Sequence, residues 1–451
     1  MEITVDSTRT AARTGAAQPH RIVVVGGGAG GLELVTRLGD QLGSTGRAQV
    51  TLVDKEATHL WKPLLHEVAA GSIDPHAYQL EYIAQARSHH FEFRQGEMLD
   101  LDRLGKTLTI GSLRDDAGQI ILPQRQLPYD TLMLAIGSVT HFFGIPGAAE
   151  HAMAIDSVAQ AAQVQRRILA ACMRMRPEAP EQQAEPVRLL VIGGGATGVE
   201  LAAELRNTAQ VLAAYGLSRQ GGKPEVRITL VEAGPRILPP LPEKIAADTV
   251  RLLHEQDIAV ITGDPVIEVR ADSVLTRSGR RLHSDLTVWA GGIRIPAVLA
   301  RTGLPTNPLG QVVVTPTLQS ITDPDVFAFG DCASCPWPAT GKSVPPRAQA
   351  AHQQASMLAG SMKRRLDGRS LPTFNYRDRG SLISVGHRDL VGNLMGRVLS
   401  RSLRFHGLVA RLIYMSLYRR HQIALHGFLR MGLDALAEWL KRRSTPRVKL
   451  H

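Results

Sequence analysis

The sequence predicts an α/β protein with two Rossmann-like dinucleotide-binding domains and a separate basic C-terminal region. Three observations carry that class. A glycine-rich fingerprint is spelled twice, at Val23–Gly31 (VVVGGGAGG) and Leu190–Gly198 (LVIGGGATG). Each copy closes a β-branched apolar run and opens a helical pattern, the setting a phosphate-binding loop needs. Each is followed by a second apolar strand ending in an acid, Val50–Asp54 (VTLVD) and Ile228–Glu232 (ITLVE). A chain of 451 residues with 44% hydrophobic side chains suffices for two or three such domains.

Taken in order, residues 1–19 are polar, rich in Ala and Thr, and read as a mobile tail. Glu2 and Asp6, with no apolar segment behind them, argue against a secretory signal. In the first loop Gly26 permits the tight turn, Gly28 lets backbone approach a pyrophosphate, and Gly31 lets the next helix pack on the sheet. Gly193, Gly195 and Gly198 repeat those three tasks in the second loop. Ala29 in one loop, and Ala196 and Thr197 in the other, stand where the helix N-terminus faces the phosphates. Asp54 and Glu232 are placed to bond ribose hydroxyls and to repel a 2′-phosphate. Arg236 lies close enough to Glu232 in sequence to soften that exclusion. Two bound dinucleotides in one chain point to electron transfer between them.

Three further apolar strands end in small or acidic residues, where α/β folds place ligand contacts. They are Tyr129–Ser138 with Ala135 and Gly137, Leu286–Gly292 with Gly291 and Gly292, and Val326–Asp331 with Gly330 and Asp331. Val344–Ala355 (VPPRAQAAHQQA) follows. Its prolines suit a first helical turn and its Ala and Gln sustain one, so a helix is expected there. Gln349 and Gln353, four apart, share a face of it.

The three cysteines exclude a disulfide scaffold. Cys332 and Cys335 have C-x-x-C spacing, but no second pair accompanies them. They read as packing or incidental thiols, and no metal site is expected.

Charge is lopsided. From Val391 onward stand twelve Arg and Lys against Asp434 and Glu438, ten of the chain's eleven net positive charges. Apolar residues recur there at helical spacing: Phe405, Leu408, Val409, Leu412, Ile413 and Leu417, then Leu425, Phe428, Leu429, Gly432, Leu433, Leu436 and Leu440. No uncharged apolar run is long enough to span a bilayer. Basic helices with apolar faces lie in the membrane interface, so residues 366–451 are read as an amphipathic helical membrane-attachment region. The alternative is a helical pair packed on the body or on a second copy in a homodimer. The near-neutral body and the scarcity of aromatic residues among the basic ones speak against nucleic-acid binding.

The order of these motifs over residues 20 to 365 resembles the two-dinucleotide flavoproteins. That resemblance implies non-covalent FAD at the first loop and NADH at the second, with Asp331 contacting FAD. It also implies that the NADH domain, residues 149–295, is inserted in an FAD domain made of residues 20–148 and 296–365. The dithiol branch of that family carries a cysteine pair after the first ribose acid; residues 59–74 contain none. Ala348, Gln349, Ala351 and Gln353 match the A-Q-x-A-x-Q motif of the type II NADH:quinone oxidoreductases. The stretches His59–Gly71 (HLWKPLLHEVAAG), with Lys62, Gly195–Glu200 (GATGVE) and Asp331–Pro336 (DCASCP) look like the same family, in its bacterial respiratory form.

The resemblance implies hydride transfer from NADH to FAD and reduction of a lipid quinone without proton pumping. It places the enzyme peripherally on the cytoplasmic face of the bacterial inner membrane, held to anionic lipid. Catalytic roles fall on Glu200, near the nicotinamide and flavin, and on Gln349 and Gln353, whose amides are suited to the acceptor's carbonyl oxygens. The N-terminus of their helix, at Ala348, offers a positive dipole to the flavin. His352 and His387 read as structural. Two other functions remain open: a soluble NADH-dependent reductase of a small redox protein, and a non-enzymatic flavoprotein that binds nucleic acid.

Overall fold

The computed structural model describes residues 18–174, 186–213, 226–386, 389–394 and 403–406, with positions 419, 422, 423 and 425. In chain order the principal elements are β1 (His20–Val25), α1 (Ala29–Leu38), β2 (Ala48–Asp54), α2 (Leu65–Ala70), β3 (Glu92–Gln95), β4 (Thr131–Leu134) and β5 (Ala152–Ala154). There follow α3 (Val158–Arg174), β6 (Val187–Ile192), α4 (Ala196–Leu212), β7 (Val226–Glu232), α5 (Glu243–Glu255), β8 (Ile258–Thr262) and β9 (Leu286–Trp289). The chain continues through β10 (Gln319–Ser320), β11 (Asp323–Ala328), α6 (Ala348–Leu366), β12 (Gly380–Ser384), β13 (Asp389–Leu394) and β14 (Leu403–His406).

Two sheets organise these elements. The first has the order β10-β11-β4-β1-β2-β3. All its pairings are parallel except β10 with β11. The second has the order β5-β9-β6-β7-β8 and is wholly parallel. The chain leaves the first sheet after β4, builds the second, and returns at β10. Strand segments covered on both faces must be apolar, and those of β1 and β6 are: Ile22 to Val25 and Leu189 to Ile192 are all buried. In each sheet the strand that carries the glycine loop is interior, so both loops emerge at the carboxyl edge of a sheet, where such folds bind ligands.

Helix α2 precedes β3 in the chain but packs away from the first sheet. Val68, Ala69 and Ala70 share a core with Val164 and Ile168 of α3 and Val199 and Leu201 of α4. The segment before it, with Trp61 and Leu64 buried, therefore bridges the two sheets over the gap between their loops.

The C-terminal expectation needs correction. Gly380–Ser384, Asp389–Leu394 and Leu403–His406 pair as a three-stranded antiparallel sheet, β12-β13-β14, and Phe405 lies in β14. Over Leu403–His406 apolar and basic residues alternate with the period of a strand, and pairing with β13 decides in its favour. The rest of the first stripe, residues 408–417, lies outside the described residues, as do residues 1–17 and 426–451. Leu425 is described and buried in the core that holds α1 and α6, and its carbonyl accepts a hydrogen bond from Gln85 Nε2 at 3.1 Å. The second stripe thus begins on the body of the protein. Among the described residues no helix is long and apolar enough to cross a membrane.

Candidate functional site: a shared dinucleotide cleft

One continuous cavity of about 2640 Å³ runs between the carboxyl edges of the two sheets. That is several times the roughly 300–1,000 Å³ of a single-ligand pocket. Gly26, Gly28, Ala29, Gly31, Asp54, Lys62, Ala135, Gly137, Gly330, Asp331, Ala348, Gln349 and Gln353 line one side. Gly195, Ala196, Thr197, Glu200 and Gly292 line the other. Gly193, Gly198, Gly291 and Glu232 stand behind the second loop rather than on the cavity wall.

The first loop is built by contacts that exclude side chains. Gly26 has φ +102°, and a Cβ there would lie 2.3 Å from the Ala135 carbonyl oxygen. A Cβ on Gly31 would lie 1.8 Å from the Gly26 oxygen, whereas one on Gly28 would meet nothing within 4 Å. The turn is thus closed from behind and open in front, the cradle a pyrophosphate requires. Asp54 holds it: Gly27 N–H donates to Oδ2 at 2.5 Å and Glu56 N–H to Oδ1 at 2.9 Å. Burial raises the Asp54 pKa, and these two donors offset part of the rise. The Gly27 carbonyl accepts from the Tyr82 hydroxyl at 2.7 Å and meets His59 Nδ1 at 2.9 Å. A carbonyl only accepts, so Nδ1 carries the proton. Burial holds His59 neutral, its pKa pushed down to about 4.

At the far end of the same wall Ser138 Oγ donates to Asp331 Oδ2 at 2.7 Å, and Lys62 Nζ donates to the Ser138 carbonyl at 3.1 Å. Gln354 Oε1 accepts from Gly330 N–H at 2.7 Å. Lys62, Gly137, Gly330 and Asp331 are brought together here from three distant stretches of chain.

The second loop repeats the construction. Gly193 has φ +112° and abuts Gly291, and a Cβ on Gly198 would lie 1.9 Å from the Gly193 oxygen. Glu232 receives Gly194 N–H on Oε2 at 2.6 Å and Gly234 N–H on Oε1 at 2.7 Å, the counterpart of the Asp54 bonds. Arg236 does not soften this acid. Its guanidinium donates to the carbonyls of Leu238, Pro239 and Leu241, and so braces its own loop.

Glu200, one turn into α4, reaches the cavity where the two walls meet. Its side chain is 11% exposed, Oε1 accepts Ser384 N–H at 3.1 Å, and Oε2 lies 3.8 Å from His66 Nδ1. Burial pushes the carboxyl up to about 8; the Ser384 N–H opposes the rise and the charge of Glu67 adds to it. His66 is itself buried and pushed down to about 4, with the Glu204 carboxylate opposing that fall. One turn further along α4, Glu204 bonds Ser72 Oγ and accepts from Asn207 Nδ2 at 3.3 Å. A carboxyl that is largely protonated at pH 7 and lines the cavity is a group able to give up a proton.

The expected helix is α6, beginning at Ala348. Arg347 precedes it in extended conformation, so the first N–H groups of α6 have no earlier helical turn to bond, and Ala348 and Gln349 line the cavity. Both glutamine amides have backbone partners. Arg377 N–H donates to Gln353 Oε1 at 3.0 Å and Gln353 Nε2 to the Arg377 carbonyl at 2.9 Å. Arg379 N–H donates to Gln349 Oε1 at 2.8 Å, and Gln349 Nε2 to the Gly380 carbonyl at 3.4 Å. His352 Nδ1 lies 2.5 Å from Oε2 of Glu33, which is 3% exposed and also pairs with Arg37. His387 lies outside the described residues.

Cys332 is fully buried and its thiol donates to the carbonyls of Leu134 and Phe329. Burial pushes both Cys332 and Cys335 up to about 11, which suits inert packing rather than thiolate chemistry. Among the described residues no cluster of three or more His, Cys, Asp or Glu is placed to hold a metal.

Sequence reasoning named the loops, the acids and the glutamines. It gave no role to Tyr82, Ser138, Gln354 or Ser384, whose contacts cross 24 to 193 positions and leave no local pattern. For His66 the signal was available: it stands inside the His59–Gly71 stretch.

The family model described as pyridine nucleotide-disulphide oxidoreductase matches residues 20–355. The type II NADH:quinone oxidoreductase of Haemophilus influenzae is 39% identical over 443 residues, covering 95% of this chain and 99% of its own. That of Staphylococcus aureus is 28% identical over 384 residues, covering 84% and 91%. Among solved structures, Plasmodium falciparum NDH2 in complex with NADH superposes with a TM-score of 0.78 at 19% identity, covering 95% of this chain and all of that one, a likeness of fold.

Proposed function

The chain belongs to the type II NADH:quinone oxidoreductases, within the pyridine nucleotide-disulphide oxidoreductase family, and from that membership we propose how its cleft works. It oxidises NADH and reduces quinone. The observation that carries the reading is the single cavity reaching both glycine loops, Glu200 and the α6 N-terminus. We assign FAD to the Gly26–Gly31 loop, whose open face at Gly28 and closed back at Gly26 and Gly31 fit a pyrophosphate. When bound there, FAD accepts hydride from NADH and passes two electrons to the quinone.

The chain's own residues divide the remaining work. Asp54 and Asp331 anchor the two ends of the first wall. NADH takes the Gly193–Gly198 loop; Glu232, held behind it by the Gly194 and Gly234 N–H groups, keeps lone pairs on both oxygens for ribose hydroxyls that reach past the loop edge. With Arg236 engaged by three carbonyls, no guanidinium in that loop is left to receive a 2′-phosphate, so NADPH is a poor substrate. The N-terminus of α6 supplies partial positive charge where negative charge develops on ring oxygens. Glu200, neutral at pH 7, holds a proton at the cavity wall for delivery as the acceptor is reduced. The basic C-terminal region sets the enzyme on anionic lipid at the cytoplasmic face of the inner membrane, each Lys or Arg contributing about 1 kcal/mol near the surface.

Purified enzyme should oxidise NADH rapidly with a short-chain quinone and slowly without it. NADPH should be turned over at least roughly tenfold less efficiently, the effect of an acid opposing the extra phosphate. Equal use of the two nucleotides would remove Glu232 from its role.

A further inference from the structure

Between α6 and β12 the chain crosses the cavity wall with neither helix nor strand of its own. Its backbone N–H and C=O groups need partners all the same. At Arg377, Arg379 and Gly380 the partners are the amides of Gln349 and Gln353, through the four bonds of 2.8 to 3.4 Å given above. The fit is geometric. Four residues rise about 6 Å along a helix and two residues about 6.7 Å along an extended chain, so glutamines four apart on α6 meet residues two apart on the strap. Each primary amide offers one acceptor and one donor, as a neighbouring strand would, and keeps a second N–H beyond the clamp.

The strap is tied at both sides of this clamp. Phe374, buried, donates its N–H to the Pro316 carbonyl at 2.7 Å, and Arg347 Nη1 lies 3.6 Å from Asp378 Oδ2. The strap runs on into β12, whose last residue, Ser384, donates its N–H to Glu200. Strap and β12 together therefore link the α6 face to the titratable carboxyl on α4.

We propose that Gln349 and Gln353 are positioning residues that clamp strap residues 377–380 across α6, and that the clamped strap shapes the part of the cavity wall that receives the quinone. The inference rests on the acceptor reading above and deepens it: the glutamines serve the acceptor site through the strap.

The test uses full-length, flavin-loaded enzyme and the variants Gln353→Met, Gln353→Glu and Gln349→Met. Two readouts are taken: trypsin cleavage after Arg377 and Arg379, with hydrogen exchange of the same amides, and KM and kcat for a short-chain quinone. Gln353→Met removes both bonds and should speed cleavage at Arg377 roughly tenfold or more. Gln353→Glu keeps the acceptor for Arg377 N–H and should fall between it and the parent. Gln349→Met should act in the same way at Arg379, which guards against a folding defect of one variant. Quinone KM should rise in the same order as cleavage, with kcat changing less. A raised KM with cleavage and exchange unchanged would overturn the clamp in favour of direct ligation. Faster cleavage with unchanged quinone kinetics would remove the strap from the acceptor site. Absence of NADH–quinone turnover in the parent enzyme would sink the functional reading, while cleavage and exchange would still judge the clamp.

Discussion

At Glu200 the outcome turns on one carboxyl whose burial outweighs the single N–H it receives. Its pKa, raised to about 8, means the acid form predominates at pH 7 and is lost as pH rises through 8. Quinone reduction should therefore slow above pH 8, and Glu200→Gln should slow it at pH 7 by roughly tenfold or more while flattening that limb. Linkage supplies a second readout. The folded state holds this proton between the unfolded value of 4.5 and about 8, so stability falls as pH rises through that window. Glu200→Gln should raise Tm more at pH 9 than at pH 5. An unchanged pH profile together with equal Tm shifts would show that Glu200 does not titrate there. Positions of this scale were legible where a local pattern fixes them: Gly26 in its tight turn, and Asp54 and Glu232 at the ends of their strands, although the loop N–H groups those two acids hold were not foreseen. Glu33 with His352, or Ser138 with Asp331, were not legible, because partners 319 and 193 positions apart share no sequence pattern.

Elements differ in how far their local text decides them. The two strand–loop–helix units were readable because glycine spacing, apolar run and terminal acid all agree, and α6 because proline, alanine and glutamine do. The strand β14 was misread as helix: four residues are too few for a period, and its pairing partner lies elsewhere in the chain. Helix α2, although its residues were noticed, gave no sign that it packs on the second sheet, which is a tertiary fact. The twin loops allow a paired prediction. Gly31→Ala pushes a methyl into the Gly26 carbonyl and should yield enzyme with little bound flavin, seen as loss of yellow absorbance. Gly198→Ala does the same beside Gly193 and should keep the colour while raising the KM for NADH by roughly tenfold or more. Loss of flavin from Gly198→Ala with full retention by Gly31→Ala would exchange the two assignments.

For the molecule as a whole, the two sheets, one built within the return path of the other, set their carboxyl edges around one cleft. The proposed attachment to lipid belongs to the same scale. Because Leu425 is part of the core, removing the chain from Val391 would damage the fold as well as the proposed membrane contact. Removing residues 426–451, which carry Arg430, Lys441, Arg442, Arg443, Arg447 and Lys449, is the cleaner cut. That truncation should keep NADH oxidation with a water-soluble quinone and lose flotation with anionic liposomes. Flotation equal to the full chain would place the lipid contact elsewhere. If NADH and quinone are served from one cleft through one cofactor, the flavin must cycle between them. Purified enzyme is mixed anaerobically, first with one equivalent of NADH and then with a short-chain quinone, and followed at the flavin absorbance. Rapid bleaching by NADH and full recovery on quinone are expected; a flavin that bleaches with NADH but stays bleached when quinone is added would overturn the shared cleft.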